Sequence, residues 1–199
     1  MSTRRIRRGM VAVLACSLLT NGVAVASTPP DPPFRLSYPL DAAHSSFTDS
    51  FGQRRSGGRR HHGIDMFAAR LTPVYAAADG VVTRIDQSRL AGRYLVVDHG
   101  DGWETAYMHL NNDLPGTDNG RAPITMTFAE GVIEGAEVTA GQLIAWVGDS
   151  GNAEGTTPHL HFELRYEGQA LDPYLLLVDA FQTKRAELVI NADVGAKPI

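Results

Sequence analysis

"TPHLHFELR", Thr157 to Arg165, sets two histidines two residues apart inside an apolar run. Apolar and polar side chains alternate along it with period two, the pattern of a half-buried β-strand. On such a strand Leu160, Phe162 and Leu164 share the face that packs inward. His159, His161 and Glu163 share the other face. That second face reads equally as a pair of hydrogen-bonded core histidines or as the wall of a site. A His-x-His pair alone does not choose between them.

The segments around this strand have the same grain. "TPVYAAADGVVTRID" reads as strand, Asp79-Gly80 turn, strand. "RYLVVDHGDGWETAYMHL" reads as a hairpin turning near His99 to Gly102. "EGAEVTAGQLIAWVGDSG" supplies two further short strands with glycine turns. Turn signals recur about every ten residues, and no long 3.6-period segment occurs before Pro173. The expected fold is therefore all-β, a compact antiparallel sheet or barrel-sandwich, spanning residues 46–175. "LDPYLLLVDAFQTKRAEL" predicts a short C-terminal helix, followed by a weakly ordered tail, within 176–199. The segment Asn111 to Glu134 reads as one long loop, either a functional wall or a solvated insertion.

The chain has 199 residues, enough for one domain with a sizeable core. Its start has the layout of a secretory leader. Arg4, Arg5, Arg7 and Arg8 precede an apolar run from Met10 to Leu19, and Ala24-Val25-Ala26 fits the small-x-small cleavage rule. The run is short for a bilayer, so no stable membrane insertion is expected after cleavage at residue 26. "VLAC" before Ser17 loosely resembles a lipidation box, which makes Cys16 an alternative processing site. Residues 27–45 begin with "STPPDPPF" and read as a proline-rich linker or extension. Removing four basic and no acidic residues takes the formal net charge from −4 to −8. A charge of that sign argues against nucleic acid or an anionic membrane as partner. Cleavage also removes Cys16, the only cysteine, so neither a disulfide nor thiol chemistry is expected. The implied location is outside the cytoplasm: periplasmic, or extracellular and wall-associated.

A second cluster shifts the reading of the histidines. "RRHHGIDMF" puts His61 four residues before Asp65, with Gly63 between them for a tight bend. Two imidazoles and one carboxylate suit Zn²⁺ and leave its fourth tetrahedral position open, as catalytic zinc sites do. In "TAYMHL" strict alternation puts Thr105, Tyr107 and His109 on one face and Ala106, Met108 and Leu110 on the other.

Taken in order, "FGQRR", "HHGIDMFA", "PVYAAADGVV", "VVDHGDGWETAYMHL", "GQLIAWVGDSG" and "TPHLHFELR" resemble the signature of the lysostaphin/LytM-type zinc endopeptidases, from about Phe47 to Pro173. The resemblance implies that family's barrel-sandwich (duplicated hybrid motif) fold and one Zn²⁺ per chain. It implies cleavage of peptide bonds in bacterial peptidoglycan, at stem-peptide cross-links or bridges. Carried over by motif, His61, Asp65 and His161 are the metal ligands, and His159 and His109 are the catalytic histidines. His159 is expected as general base, and His109 as an imidazolium or N–H donor to the oxyanion. Glu163 is expected either to orient a ligand or to make a plain salt bridge. His44, His62 and His99 match no role. Arg54, Arg55, Arg59 and Arg60 read as a solvated loop with one structural ion pair, Arg54 being the favoured member; the other reading has them meeting acidic groups of the wall.

The rivals are weaker. A non-enzymatic regulator of other wall hydrolases would more naturally have lost some of the five residues. A cupin-type metal barrel needs a ligand glutamate further from the His-x-His pair. A carbohydrate-binding module has no use for the cluster. A localising or activating partner is left open.

Overall fold

The computed structural model describes residues 28–195; the leader, with Cys16, and the last four residues lie outside them. Ten strands and one helix follow in order: β1 Ser46–Phe47, β2 Ile64–Phe67, β3 Pro73–Tyr75, β4 Gly80–Ser88, β5 Gly92–Gly100, β6 Trp103–Leu110, β7 Glu137–Val138, β8 Leu143–Trp146, β9 His159–Tyr166, β10 Gln169–Leu171 and α1 Tyr174–Gly195. The main sheet runs β1-β2-β9-β6-β5-β4-β7, with β10 also paired to β9, and β3 and β8 form a second sheet. Every pairing is antiparallel. The all-β expectation holds.

Register explains how a core and a site share the same strands. Val82 faces Val97, Leu95 faces Tyr107, and Tyr107 faces Phe162, which in turn faces Ile64. These residues are fully buried and pack into one cluster with Val74, Ile144 and Ala145 of the second sheet. β-Branched and aromatic side chains suit such a pleated, covered surface. One residue along, the same register sets Asp65 opposite His161, Phe67 opposite His159 and Met108 opposite His161. A slip of one residue in β9 would exchange the two rows.

Residues 36–42, read as an extension, belong to this core. Leu36, Tyr38, Leu40 and Ala42 are buried in it. Two backbone bonds tie the segment down, Ser37 N–H to the Ala77 carbonyl (2.6 Å) and Tyr75 N–H to the Pro39 carbonyl (2.9 Å). Tyr38, Phe47, Tyr174 and Phe181 then meet ring to ring at 5.1–6.0 Å, joining the extension, β1 and α1.

The expected C-terminal helix is present and runs for 22 residues; the last four residues of the expected tail lie outside the described ones. Asp172 caps its start by accepting the Tyr174 N–H at 2.9 Å. Leu177 and Ala180 are buried, whereas Leu188, Val189 and Ile190 are exposed. The outer turns contain Lys, Arg, Ala, Glu and Leu, residues with good intrinsic helix propensity, so they continue without packing.

The segment 111–134 is largely exposed, as a solvated insertion would be, but it is pinned at several points. Arg93 of β5 donates to Thr127 Oγ1 (2.6 Å) and to the carbonyls of Ala122 (2.8 Å) and Asn111 (3.4 Å). Arg70 sits among Asp149, Asp118 and Asp113, and donates to the Thr117 carbonyl. Phe128 bridges to Ala145 of β8.

His99 lies in the partly buried end of β5. Its Nδ1–H donates to the Asp79 carbonyl at 2.7 Å, leaving Nε2 to accept from the Thr105 hydroxyl at 2.9 Å. Burial pushes its pKa below the ordinary 6.5, against the raising effect of the Asp79 carbonyl and nearby carboxylates. The folded ring therefore stays neutral where the unfolded one takes a proton. Its contribution to stability is whole above about pH 6.5 and is lost as pH falls below that. Urea midpoints taken in chelator at pH 7 and pH 5.5 should fall less for His99→Gln than for the unaltered chain. Equal falls would remove His99 from the acid sensitivity.

Candidate metal centre and active site

Four histidines and one aspartate predicted from the sequence come together at the floor of an open cleft of about 720 Å³. His61 Nε2 lies 2.9 Å from Asp65 Oδ1 and 2.8 Å from His161 Nδ1, and His161 Nδ1 lies 3.0 Å from the same Asp65 oxygen. Three potential ligand atoms thus converge on one point.

The protons on these rings follow from their outer partners. The Ser50 carbonyl, 2.7 Å from His61 Nδ1, can only accept, so Nδ1 carries the hydrogen and Nε2 is a lone pair. Glu163 Oε1, 2.9 Å from His161 Nε2, takes that ring's hydrogen and leaves Nδ1 as a lone pair. Two lone pairs and a carboxylate oxygen at hydrogen-bond distance form a group that could hold a metal ion. The direction of titration agrees. Burial lowers the pKa of His161, but the flanking Asp65 and Glu163 carboxylates raise it overall, as if the pocket asks for one positive charge. Burial works to raise the Asp65 pKa, yet the two imidazoles hold that carboxyl well below its ordinary value. Two nitrogens and one oxygen, all deprotonated, suit Zn²⁺.

Outer contacts fix the cluster, and the sequence did not reveal all of them. Glu163 does both things expected of it, orienting His161 through Oε1 and accepting from Arg165 Nε through Oε2 at 2.7 Å. Arg55, not Arg54, makes the structural ion pair, from Nη2 to Asp65 Oδ2 at 2.5 Å. Arg54 instead bridges by its backbone to Arg60. Two adjacent arginines in a glycine-rich loop look alike in sequence, and only the hairpin's register separates them. Ser50 holds His61 through its carbonyl, and a backbone carbonyl leaves no mark in the residue type.

Gly63 sits in the bend expected of it and has a second reason besides. A Cβ there would stand 2.2 Å from the Phe162 carbonyl and 3.0 Å from His161 Nε2. Its bare backbone lets β2 approach β9 closely enough to bring Asp65 and His161 together.

His159 and His109 sit beside the cluster with their rings 5.0 Å apart. His159 Nδ1–H donates to the Thr157 carbonyl (2.8 Å), and His109 Nδ1–H donates to the Ser150 carbonyl (2.9 Å). Both therefore present an Nε2 lone pair, and that of His159 lies 3.8 Å from Asp65 Oδ1. Burial, with His161 and His159 adding to it, pushes His109 down to about 4. The imidazolium or N–H donor expected at His109 is thus a neutral ring whose hydrogen is already spent.

Strict alternation also put His109 with Tyr107, and Tyr107 points into the core, where its hydroxyl accepts the Ala77 N–H at 2.7 Å. The β5–β6 register shifts between Arg93 and Leu95, and His109 adopts φ 59°, in the left-handed region. This irregularity swings His109 out to join Met108 on the cleft wall. His62 is exposed on the rim, His44 pairs with Asp41 at the surface, and His99 belongs to the far end. The segment 111–134 reaches the neighbourhood of the cleft through Asn112, which donates to Glu154 beside the cleft-lining Asn152 and Ala153.

Comparison with known proteins fits this geometry. The model of peptidase family M23 matches residues 59–121 and 124–173, more than half the chain. The chain is 33% identical over 140 residues to the peptidoglycan DD-endopeptidase ShyB of Vibrio cholerae, covering 68% of this chain and 28% of that protein. Among solved structures, a zinc-containing peptidase from Vibrio cholerae aligns with a TM-score of 0.55 at 30% identity, over 69% of this chain and 39% of that one. The catalytic domain of the antimicrobial peptidase lysostaphin from Staphylococcus simulans aligns with a TM-score of 0.53 at 28% identity, over 66% of this chain and 91% of that one. The chain thus spans well under half the length of the curated relatives it matches.

Proposed function

The chain belongs to peptidase family M23, and from that premise and the cluster at the cleft floor we propose that it is a zinc endopeptidase cutting peptide bonds in bacterial peptidoglycan. The convergence of three lone-pair donors from His61, Asp65 and His161 carries this reading. The relatives described as a peptidoglycan DD-endopeptidase and a zinc-containing peptidase support the substrate and the metal.

His61 Nε2, His161 Nδ1 and one Asp65 oxygen would hold the ion. A Zn²⁺ held there would supply Lewis acidity, polarising the scissile carbonyl and lowering the pKa of a water from ~15.7 toward ~7. His159 accepts the water's proton at Nε2, and the resulting imidazolium is stabilised by Asp65 close by. That proton is the one the departing amine needs. It reaches the nitrogen from His159 directly or by way of His109, across the 5.0 Å between the rings. His109 can donate only once protonated, so it acts late, and a ring whose pKa is pushed down gives its proton up readily. Anchoring both rings to carbonyls through Nδ1 holds their Nε2 atoms toward the cleft without further ordering cost.

Incubating the chain with defined cross-linked muropeptides, with and without chelator, tests this reading. Expected is cleavage that chelator abolishes and Zn²⁺ restores, with product masses naming the bond. One equivalent of bound zinc with no cleavage of any cross-link would instead favour a regulator built on the same fold.

A further inference from the structure

The cleft has one strongly charged wall that the chemistry just described does not use. Residues 52–61 form a small hairpin leading straight into His61. Gly52 N–H donates to the His61 carbonyl (2.8 Å), His61 N–H to Gln53 (2.9 Å) and Arg55 N–H to Arg59 (2.9 Å). Gly57 and Gly58 turn its tip with φ of 71° and 75°. Arg55, Arg59 and Arg60 of this hairpin line the cleft.

Arg55 is committed to Asp65, but the other two have no carboxylate. Among the described residues neither Arg59 nor Arg60 makes an ion pair. Each is instead steadied by its own hairpin. Arg60 Nη1 donates to the Gly52 carbonyl at 3.0 Å, and Arg59 Nε donates to the Ser56 carbonyl at 3.2 Å. A guanidinium has five N–H donors in a planar fork, so each arginine keeps several of them free. Among the described residues the only acidic side chains lining the cleft are Asp65 and Glu163, and both are already paired. The chain as a whole is acidic, so this local positive wall is not a by-product of bulk charge.

We propose that Arg59 and Arg60 form a subsite that reads a free carboxylate on the peptide, close to the bond to be cut. This rests on the endopeptidase reading and names the substrate class within it: cross-linked peptides whose residues near the scissile bond keep an unamidated carboxyl group. Arg60 directly precedes the metal-ligating His61, so the two Cα atoms are about 3.8 Å apart. Extended peptide advances about 3.3–3.6 Å per residue, which sets the recognised carboxylate within about two or three residues of the metal centre. The planar fork favours a carboxylate's two oxygens over a neutral carboxamide.

The test uses two synthetic cross-linked peptides of one sequence, one with free carboxylates beside the cross-link and one with carboxamides there. Dissociation constants are measured by calorimetry on the zinc-loaded full chain carrying His159→Ala. Cleavage by the unaltered chain is followed separately. Expected is about tenfold tighter binding of the carboxylate peptide, abolished in Arg59→Gln/Arg60→Gln and largely kept in Arg59→Lys/Arg60→Lys. The preference should also shrink on raising salt from about 0.05 M to about 0.5 M, because exposed charges are screened. Retained preference in the Gln pair overturns the subsite, and so does equal binding of the two peptides, absence of binding included, whether or not they are cleaved. Preferential binding without any cleavage would leave the subsite standing and overturn the endopeptidase reading alone.

Discussion

Replacing His161 with alanine will leave a folded protein that no longer holds zinc through dialysis. Its nitrogen is one of three donors meeting around the Asp65 oxygen, at 2.8 Å from His61 and 3.0 Å from Asp65. Two donors cannot close a site that already leaves one position open. Glu163 keeps Arg165 as partner, so the substitution leaves no charge stranded. With the metal goes a Lewis acid worth several kcal/mol at the transition state, so turnover should fall by ~10³-fold or more. His61→Ala and Asp65→Ala should behave alike, and metal content per chain with thermal unfolding reads all three. An undiminished equivalent of zinc in His161→Ala would remove it from the ligand set.

The second large effect has the opposite signature. His159→Ala should keep one equivalent of zinc while turnover drops ~10²- to ~10⁴-fold, the usual worth of a positioned base. His109→Ala should do the same. Neither ring touches the point where the three ligand atoms meet, since each is held to a carbonyl through Nδ1 with Nε2 directed to the cleft. The contrast between neighbours is the informative part. Two residues apart on β9, one histidine should govern metal content and the other only rate. If His159→Ala lost zinc while His161→Ala kept it, the two assignments would be exchanged.

How far the sequence could be read differs from residue to residue. Period two on β9 put His159, His161 and Glu163 on one face, because a regular strand obeys its pleat. The same rule failed at His109, where a register shift and a left-handed residue interrupt the pleat. The extra residue lies in β6 itself, three residues from Tyr107 to Leu110 against two from Arg93 to Leu95, and strict alternation has no place for it. Gly63 was legible as the glycine of a bend, but not for its second reason, the approach of a strand about a hundred residues away. Prolines made residues 27–45 read as a linker, although Leu36, Tyr38 and Leu40 are core. The 111–134 segment looked like loose loop because its anchors, Arg70 and Arg93, stand outside it.

The left-handed backbone of His109 has a consequence for anyone who sets out to improve this protein. A non-glycine residue held in that conformation costs on the order of 1–3 kcal/mol, so the fold gives up stability to keep an imidazole at that spot. Glycine or asparagine would be more at ease there. A campaign that ranks random variants by melting temperature alone would therefore favour discarding His109. On the proposed mechanism it would enrich for hardier chains that have surrendered a working part, so any such screen needs an activity gate alongside the heat.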